Sequence, residues 1–244
     1  MYDVLENVER FSYVLDHGYI ELLDVMPRFS HSDRTIDTAI VEAARISTGG
    51  AIKSVEEDIK LIDYLWKNGH TSPFEMVELK WEMKMPIFIA RQWVRHRTAN
   101  INEYSGRYSK ILNDYYLPKT EDVRTQSKIN NQGSEEFIGA DIAEAFIQDL
   151  DDHCVESYRL YEDYLKQGVS REMARVFLPV NFYTKWIWKN DLHNTLKFLA
   201  LRMHPHAQKE IQQYAVKMFD IMKQILPITI SSFEKYTLHK YQES

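Results

Sequence analysis

Val77-Glu78-Leu79-Lys80-Trp81-Glu82-Met83-Lys84-Met85 alternates apolar and charged side chains without a break. Successive side chains of a strand point to opposite faces, so this stretch reads as a strand with one face buried and the other in water. Pro86 ends it and can open a helix, because the N–H that proline lacks would be unsatisfied at a first helical position anyway. In that helix Gln92 and Arg95 are three residues apart and share a face. Tyr19 to Met26 reads as a further short strand, and the aromatic run Asn181 to Trp188 as another.

Helical signals surround these strands. From Asp33, the residues Ile36, Ala39, Ile40, Ala43 and Ala44 fall at helical spacing and predict a helix ending near Arg45, followed by a turn at Ser47-Thr48-Gly49-Gly50. Ser54 and Glu57 form a capping box for a helix running to about Lys67, with Gly69 as its stop. Met1 to Gly18 is amphipathic and reads as an N-terminal extension that docks as a helix. Tyr115 to Gly133, with Pro118, Asn130 and Asn131, reads as an irregular connection. Ser134 to Lys166 is helical by period, with Phe137, Ile138, Ala145, Phe146 and Leu150 as its apolar stripe. Ser170 opens a helix that Pro179 closes, Asp191 caps one through Arg202, a longer one runs from His206 to Leu226, and a last one follows Pro227. No repeat or clear linker divides the chain. The expectation is one α+β domain over 1–244, with several long helices and a small antiparallel sheet.

With 244 residues, 44% hydrophobic and 13% aromatic, the chain has the composition of a folded globular protein. A net charge of −6 works against binding nucleic-acid backbones or anionic membranes. The lone Cys154 excludes an intramolecular disulfide. The first residues lack a basic region followed by an apolar run, and no stretch approaches membrane-spanning length, so a cytoplasmic protein is expected.

Against this acidic background, Gln92 to Tyr108 is locally basic: Arg95, Arg97 and Arg107 surround the single carboxylate of Glu103. One carboxylate cannot neutralise three guanidiniums, whose planar forks match phosphate or carboxylate geometry. Ser105-Gly106 adds a hydroxyl and a backbone amide that a ligand can approach closely. The segment reads as an exposed loop built for a small anion.

Four ordered blocks carry a resemblance. Arg95-His96-Arg97, seven residues and then Ser105 is similar to the signature of the flavin-dependent thymidylate synthases. Gly69-His70-Thr71-Ser72-Pro73-Phe74-Glu75 precedes it. Arg171-Glu172-Met173-Ala174-Arg175 with Leu178-Pro179, and Leu201-Arg202 with His206-Ala207-Gln208, follow it. The resemblance implies an enzyme that makes dTMP from dUMP, using 5,10-methylenetetrahydrofolate as one-carbon donor and FAD reduced by NADPH as hydride donor. It also implies a homotetramer with active sites shared between subunits. By the same resemblance, Gln92, Arg95, Glu103, Tyr104, Ser105, Gly106, Arg107, Arg175 and Arg202 hold dUMP. His70, Ser72, Arg95, His96, Arg97, Asn102, Glu103, Asp191, His193, Lys197 and His206 belong to the FAD site. Arg202 is the catalytic residue, stabilising negative charge on the pyrimidine because an arginine does not act as a base. Asp191 and Lys197 stand where members often carry asparagine, and Met76 stands where a histidine is expected.

The residues themselves agree at one point. A thymidylate synthase that used a thiolate would need Cys154, whose acidic neighbours Asp151, Asp152 and Glu156 raise a thiol pKa. Other readings are open. His204-Pro205-His206 with His193 and Asp191 lacks helical ligand spacing for a metal. Phe182, Tyr183, Trp186 and Trp188 at strand spacing fit a core or an interface better than base stacking. A nucleotide-binding regulatory module without turnover would keep the phosphate residues, but would not need Ser72, the Arg95-His96-Arg97 run, Glu103 and Arg202 together.

Overall fold

The computed structural model describes residues 2–30, 35–50, 54–128 and 133–241. In chain order these form β1 (Tyr2–Asp3), β2 (Phe11–Val14), β3 (Gly18–Met26), β4 (Phe29–Ser30), α1 (Asp37–Arg45), α2 (Val55–Lys67), α3 (Ser72–Glu75), β5 (Glu78–Pro86) and α4 (Ile87–Trp93). There follow β6 (Asn100–Glu103), β7 (Arg124–Gln126), β8 (Ser134–Phe137), α5 (Ala140–Lys166), α6 (Arg171–Ala174), β9 (Tyr183–Asp191), α7 (Leu192–Arg202), α8 (Lys209–Ile225) and α9 (Pro227–Tyr236). The architecture is α+β. No helix among the described residues is long and apolar enough to cross a membrane.

The alternating stretch is the middle strand, β5, of a five-stranded antiparallel sheet in the order β2-β3-β5-β9-β6. Its pattern works as read: Leu79, Trp81, Met83 and Met85 are fully buried, and Trp81 lies between Leu22 of β3 and Trp188 of β9. On the other face Glu78 and Glu82 pair with Lys189 and Lys185 of β9, at 2.8 and 3.4 Å. Helix α8 joins the core with Ile211, Tyr214, Ala215, Met218 and Met222, all fully buried. The capping box is present, with Glu57 N donating to Ser54 Oγ and Glu57 Oε2 accepting from Ser54 N. Asp191 caps α7 as expected, accepting from Asn194 N at 2.8 Å.

Several expectations are corrected. The described part of the first eighteen residues, 2–18, is not a helix: β2 pairs with β3 in a hairpin from Phe11↔Glu21 to Val14↔Gly18. Leu15 turns at φ 60 and Val14 is buried while Phe11 and Tyr13 are exposed, so burial alternates over a stretch too short for its pattern to show in the sequence. The helix assigned from Ser134 starts only at Ala140, because Gly139 (φ 109) breaks the chain direction and Ser134–Phe137 pairs with β7. Phe137 and Ile138 therefore precede α5, and the face it buries carries Ala143, Cys154, Ser157 and Tyr161, while Phe146 is half-exposed. The Ser170 helix is one turn, continued by a 3-10 turn at Arg175–Phe177 before Pro179. The irregular connection also contains β7, and its Asn130 and Asn131 lie outside the described residues, as does the Asp33 start of the first predicted helix.

The hairpin is locked against the core at Gly18. A Cβ there would lie 2.0 Å from Tyr214 Oη, 2.6 Å from Val14 O and 2.9 Å from Lys84 O, while Tyr214 Oη donates to that same Lys84 carbonyl at 2.6 Å. Two of the three obstacles are backbone, which cannot step aside. Gly18→Ala is expected to destabilise the protein by about 2–3 kcal/mol through overpacking, measured as a lower denaturant midpoint; an unchanged midpoint would refute this packing account.

Candidate active site

Helix α4 and the turn after it carry Gln92, Arg95, His96 and Arg97, and α7 delivers Arg202 at its C-terminal end. Arg202 Nε donates to His96 Nε2 at 3.1 Å, and Arg202 Nη2 donates to the Gln92 carbonyl at 3.2 Å. A ring nitrogen that accepts carries no proton, so His96 is the neutral imidazole protonated on Nδ1. Burial first, and the Arg202 charge second, hold its pKa down at about 4. Burial also lowers the pKa of Arg202, which stays protonated. The His96 ring stands edge-on to Phe198 at 4.9 Å, and Phe198 stacks on Trp93 at 4.3 Å, so the pair rests on the aromatic core. Gln92 Nε2 also bonds Gln208 Oε1, tying α4 to the start of α8.

The segment after Arg97 is not a free loop. Asn100–Glu103 is the edge strand β6, with Asn102 opposite Ile187 and Glu103 opposite Trp186. All four residues are exposed, which is why no apolar alternation marks them. Glu103, Tyr104, Ser105, Gly106 and Arg175 line a cavity of about 440 Å³ together with Ile87, Tyr183 and Thr184. Glu103 Oε1 accepts from Thr184 Oγ1 at 2.7 Å. Gly106 is closely packed: a Cβ would lie 2.7 Å from Ile111 Cδ1, whose side chain would have to shift, with the Arg175 stem beyond. Ser105 Oγ accepts from Arg107 N at 3.3 Å, and the Arg107 side chain pairs with Glu172 at 3.3 Å. The Tyr104 hydroxyl donates to the Lys110 carbonyl at 2.6 Å. The guanidiniums of Arg95, Arg97 and Arg175 are exposed and have no hydrogen-bond or ion-pair partner among the described residues.

His70, Thr71 and His193 meet elsewhere, around a cavity of about 530 Å³ with Trp66, Lys235 and Tyr236. Ser72 opens α3 beside them and is exposed. His193 Nδ1 is buried without a partner among the described residues, and burial, followed by the charge of Lys197, lowers its pKa. Both Asp191 oxygens are taken by Asn194, N and Nδ2, at 2.8 Å each. His206 is exposed, its backbone N–H donating to His204 Nδ1 at 3.1 Å. Among the described residues no group of three His, Cys, Asp or Glu could hold a metal. One chain thus spreads the expected residues over separate places, and these two cavities share no lining residue.

A family model described as Thymidylate synthase complementing protein matches residues 29–228. The chain belongs to the flavin-dependent thymidylate synthase family. It is an enzyme. The flavin-dependent thymidylate synthase of Dictyostelium discoideum is 48% identical over 236 residues, covering 96% of this chain and 78% of that one. The protein of the same description from Wolbachia pipientis wMel is 48% identical over 225 residues, covering 92% and 76%. Among solved structures, the UMP/dUMP methylase PolB from Streptomyces cacaoi, bound with 5-Br dUMP, superposes with a TM-score of 0.81 at 28% identity, over 93% of this chain and 98% of that one.

Sequence reading missed Thr184 and Tyr183 as wall of one cavity and Trp66, Lys235 and Tyr236 as wall of the other, beside His193. Strand pairing held the signal for the first two: β6 on β9 brings Glu103 beside the Tyr183 end of β9. Nothing local in the sequence joins α9 to His193.

His96 supplies a titration test. Its folded value of about 4 lies below the ordinary 6.5, so between those limits the unfolded chain binds more protons. The contribution to stability is therefore complete above pH 6.5 and is lost as pH falls towards 4. NMR should follow a His96 midpoint near 4, and Arg202→Met should raise it without restoring 6.5, because burial persists. A wild-type midpoint at the ordinary value would contradict the neutral His96–Arg202 bond.

Proposed function

We propose that the chain converts dUMP to dTMP by reductive methylation, with 5,10-methylenetetrahydrofolate giving the carbon and FAD, reduced by NADPH, giving the hydride. The observation that carries this reading is the Arg202 arrangement. A guanidinium at the end of α7 is held by a neutral histidine and a main-chain carbonyl, and its Nη1 keeps no protein partner among the described residues. Such a group, partly withdrawn from water, stabilises negative charge developing on a pyrimidine and cannot remove a proton itself. His96 acts by accepting from Nε, which fixes the plane of the guanidinium.

The cavity at β6 suits a nucleotide. Arg175, Ser105 and the Gly106 amide offer cation, hydroxyl and N–H to a phosphate. Glu103, braced by Thr184, offers an acceptor for a sugar hydroxyl. Gln92, Arg95, Tyr104 and Arg107 complete this assignment. The residues also fit a flavin dinucleotide: among the described residues Arg95 and Arg97 are cations without protein partners, as a pyrophosphate needs, and His193 Nδ1 is a buried polar atom without one. His70, Ser72, His96, Asn102, Glu103, Lys197 and His206 belong to the same assignment, and Asp191 contributes by capping α7, on which His193 and Lys197 ride. When bound, reduced FAD supplies the hydride.

No cysteine takes part in this reading. Cys154 is fully buried, its Sγ lies 3.2 Å from Asn181 Nδ2, and burial, with a smaller contribution from Asp151, raises its pKa. A thiolate there is disfavoured. A homotetramer with shared sites fits the dispersal of the expected residues over separate places in one chain, and the exposed Ile142, Phe146 and Val155 of α5. A single domain over 1–244 and a cytoplasmic location belong to the same proposal.

The decisive experiment is the visible spectrum of the purified protein without air. Flavin absorbance should bleach on NADPH, faster with dUMP present, and return on 5,10-methylenetetrahydrofolate. No bound flavin, even after incubation with FAD, would leave only a nucleotide-binding module. Arg202→Ala should abolish turnover while flavin content and thermal midpoint stay close to wild type; turnover at the wild-type rate would remove Arg202 from its role.

A further inference from the structure

The tip of the first hairpin reaches the back of the cavity at β6. Asp16, in the turn between β2 and β3, lies outside the 29–228 match to the family model. Its carboxylate gathers three donors from three parts of the chain. Oδ1 accepts from His17 N at 2.9 Å and from the Tyr183 hydroxyl, and Oδ2 accepts from Leu117 N at 3.0 Å. Tyr183 is the first residue of β9, only 8% exposed, and it lines the cavity together with Thr184, the residue that braces Glu103.

Everything around the Tyr183 ring supports its placement from behind. Lys84 Nζ sits 5.1 Å over the ring and pairs with Asp114, whose carbonyl accepts from Tyr183 N at 2.9 Å. His17 stands edge-on to the ring at 6.2 Å. Burial, and then Asp16, push the phenol pKa up, so the hydroxyl keeps its proton and remains the donor. A charged acceptor makes this the strongest kind of tether available to a tyrosine.

We propose that Asp16 is a positioning residue for the nucleotide cavity: it holds Tyr183, and with it the Thr184–Glu103 pair, in the form that takes a pyrimidine nucleotide. The inference rests on the assignment of that cavity to dUMP. It gives the N-terminal hairpin a part in substrate binding, through the wall and without touching the nucleotide.

Kinetics of dUMP-dependent NADPH oxidation test it, alongside calorimetric binding of 5-bromo-dUMP to the intact holoenzyme. Asp16→Ala should raise the dUMP KM and the 5-bromo-dUMP Kd about tenfold, the factor expected for losing one hydrogen bond to a charged group. The kcat should stay within about twofold. Tyr183→Phe keeps the ring and its packing and should reproduce the effect, and Asp16→Asn, which retains an acceptor for the hydroxyl, should recover much of it. The double variant should be no worse than Asp16→Ala alone, because that substitution already removes the bond to Tyr183. Loss of kcat with an unchanged KM would mean a merely structural role and overturn the inference. So would a Tyr183→Phe variant that binds nucleotide like wild type, even if Asp16→Ala fails to fold. Wild-type protein that binds no 5-bromo-dUMP and shows no dUMP dependence overturns the functional reading and this inference with it; wild-type binding with unaffected variants overturns the inference alone.

Discussion

The pairing of β5 with β9 is the constraint on which the rest depends. The ladder runs from Glu78↔Asp191 to Pro86↔Tyr183, and each functional element leaves from one of its ends. Helix α4 starts where β5 stops, and α7 starts where β9 stops, at opposite ends because the strands are antiparallel. A strand of 9 residues spans about 30 Å, while the 11 residues of α7 and the 7 of α4 rise about 16 and 10 Å. Two helices sent towards one another over that distance nearly close it. Their C-terminal ends meet, and the 3.1 Å bond between Arg202 and His96 is the result.

That meeting has an electrostatic logic. Both helices present carbonyls and the negative end of their dipoles at the junction, and a guanidinium is the group that satisfies this. Arg202 donates to one such carbonyl, Gln92 O, and the histidine beside it is kept neutral, so no second cation competes. The Arg202 guanidinium is thus held by the ends of two short helices, with the buried aromatic residues Trp93 and Phe198 behind them.

Much of this was legible in the sequence where a local period or a cap spoke for itself. The charged alternation of Glu78 to Lys84, the Ser54–Glu57 box and the Asp191 cap each follow from residues within a few positions of one another. The ordered Arg, His and Ser blocks likewise marked the family. Sequence failed where the deciding contact is distant. Phe11 to Val14 became a strand because β3 was there to receive it, and Asn100 to Glu103 because β9 offered an edge. Gly139 turned an expected long helix into a strand and a shorter helix, at a backbone angle that composition does not reveal. Thr184 gained its role from a carboxylate 81 positions away, and the wall around His193 came from α9.

The stacking of Trp93 on Phe198 has an optical consequence. His96 stands edge-on to the same phenylalanine, so an indole stands one ring away from the Arg202 contact. The yield and colour of indole fluorescence follow the polarity and charge nearby, and a yellow chromophore settling close to it would drain its emission. The molecule carries its own lamp at the place where its chemistry is assigned.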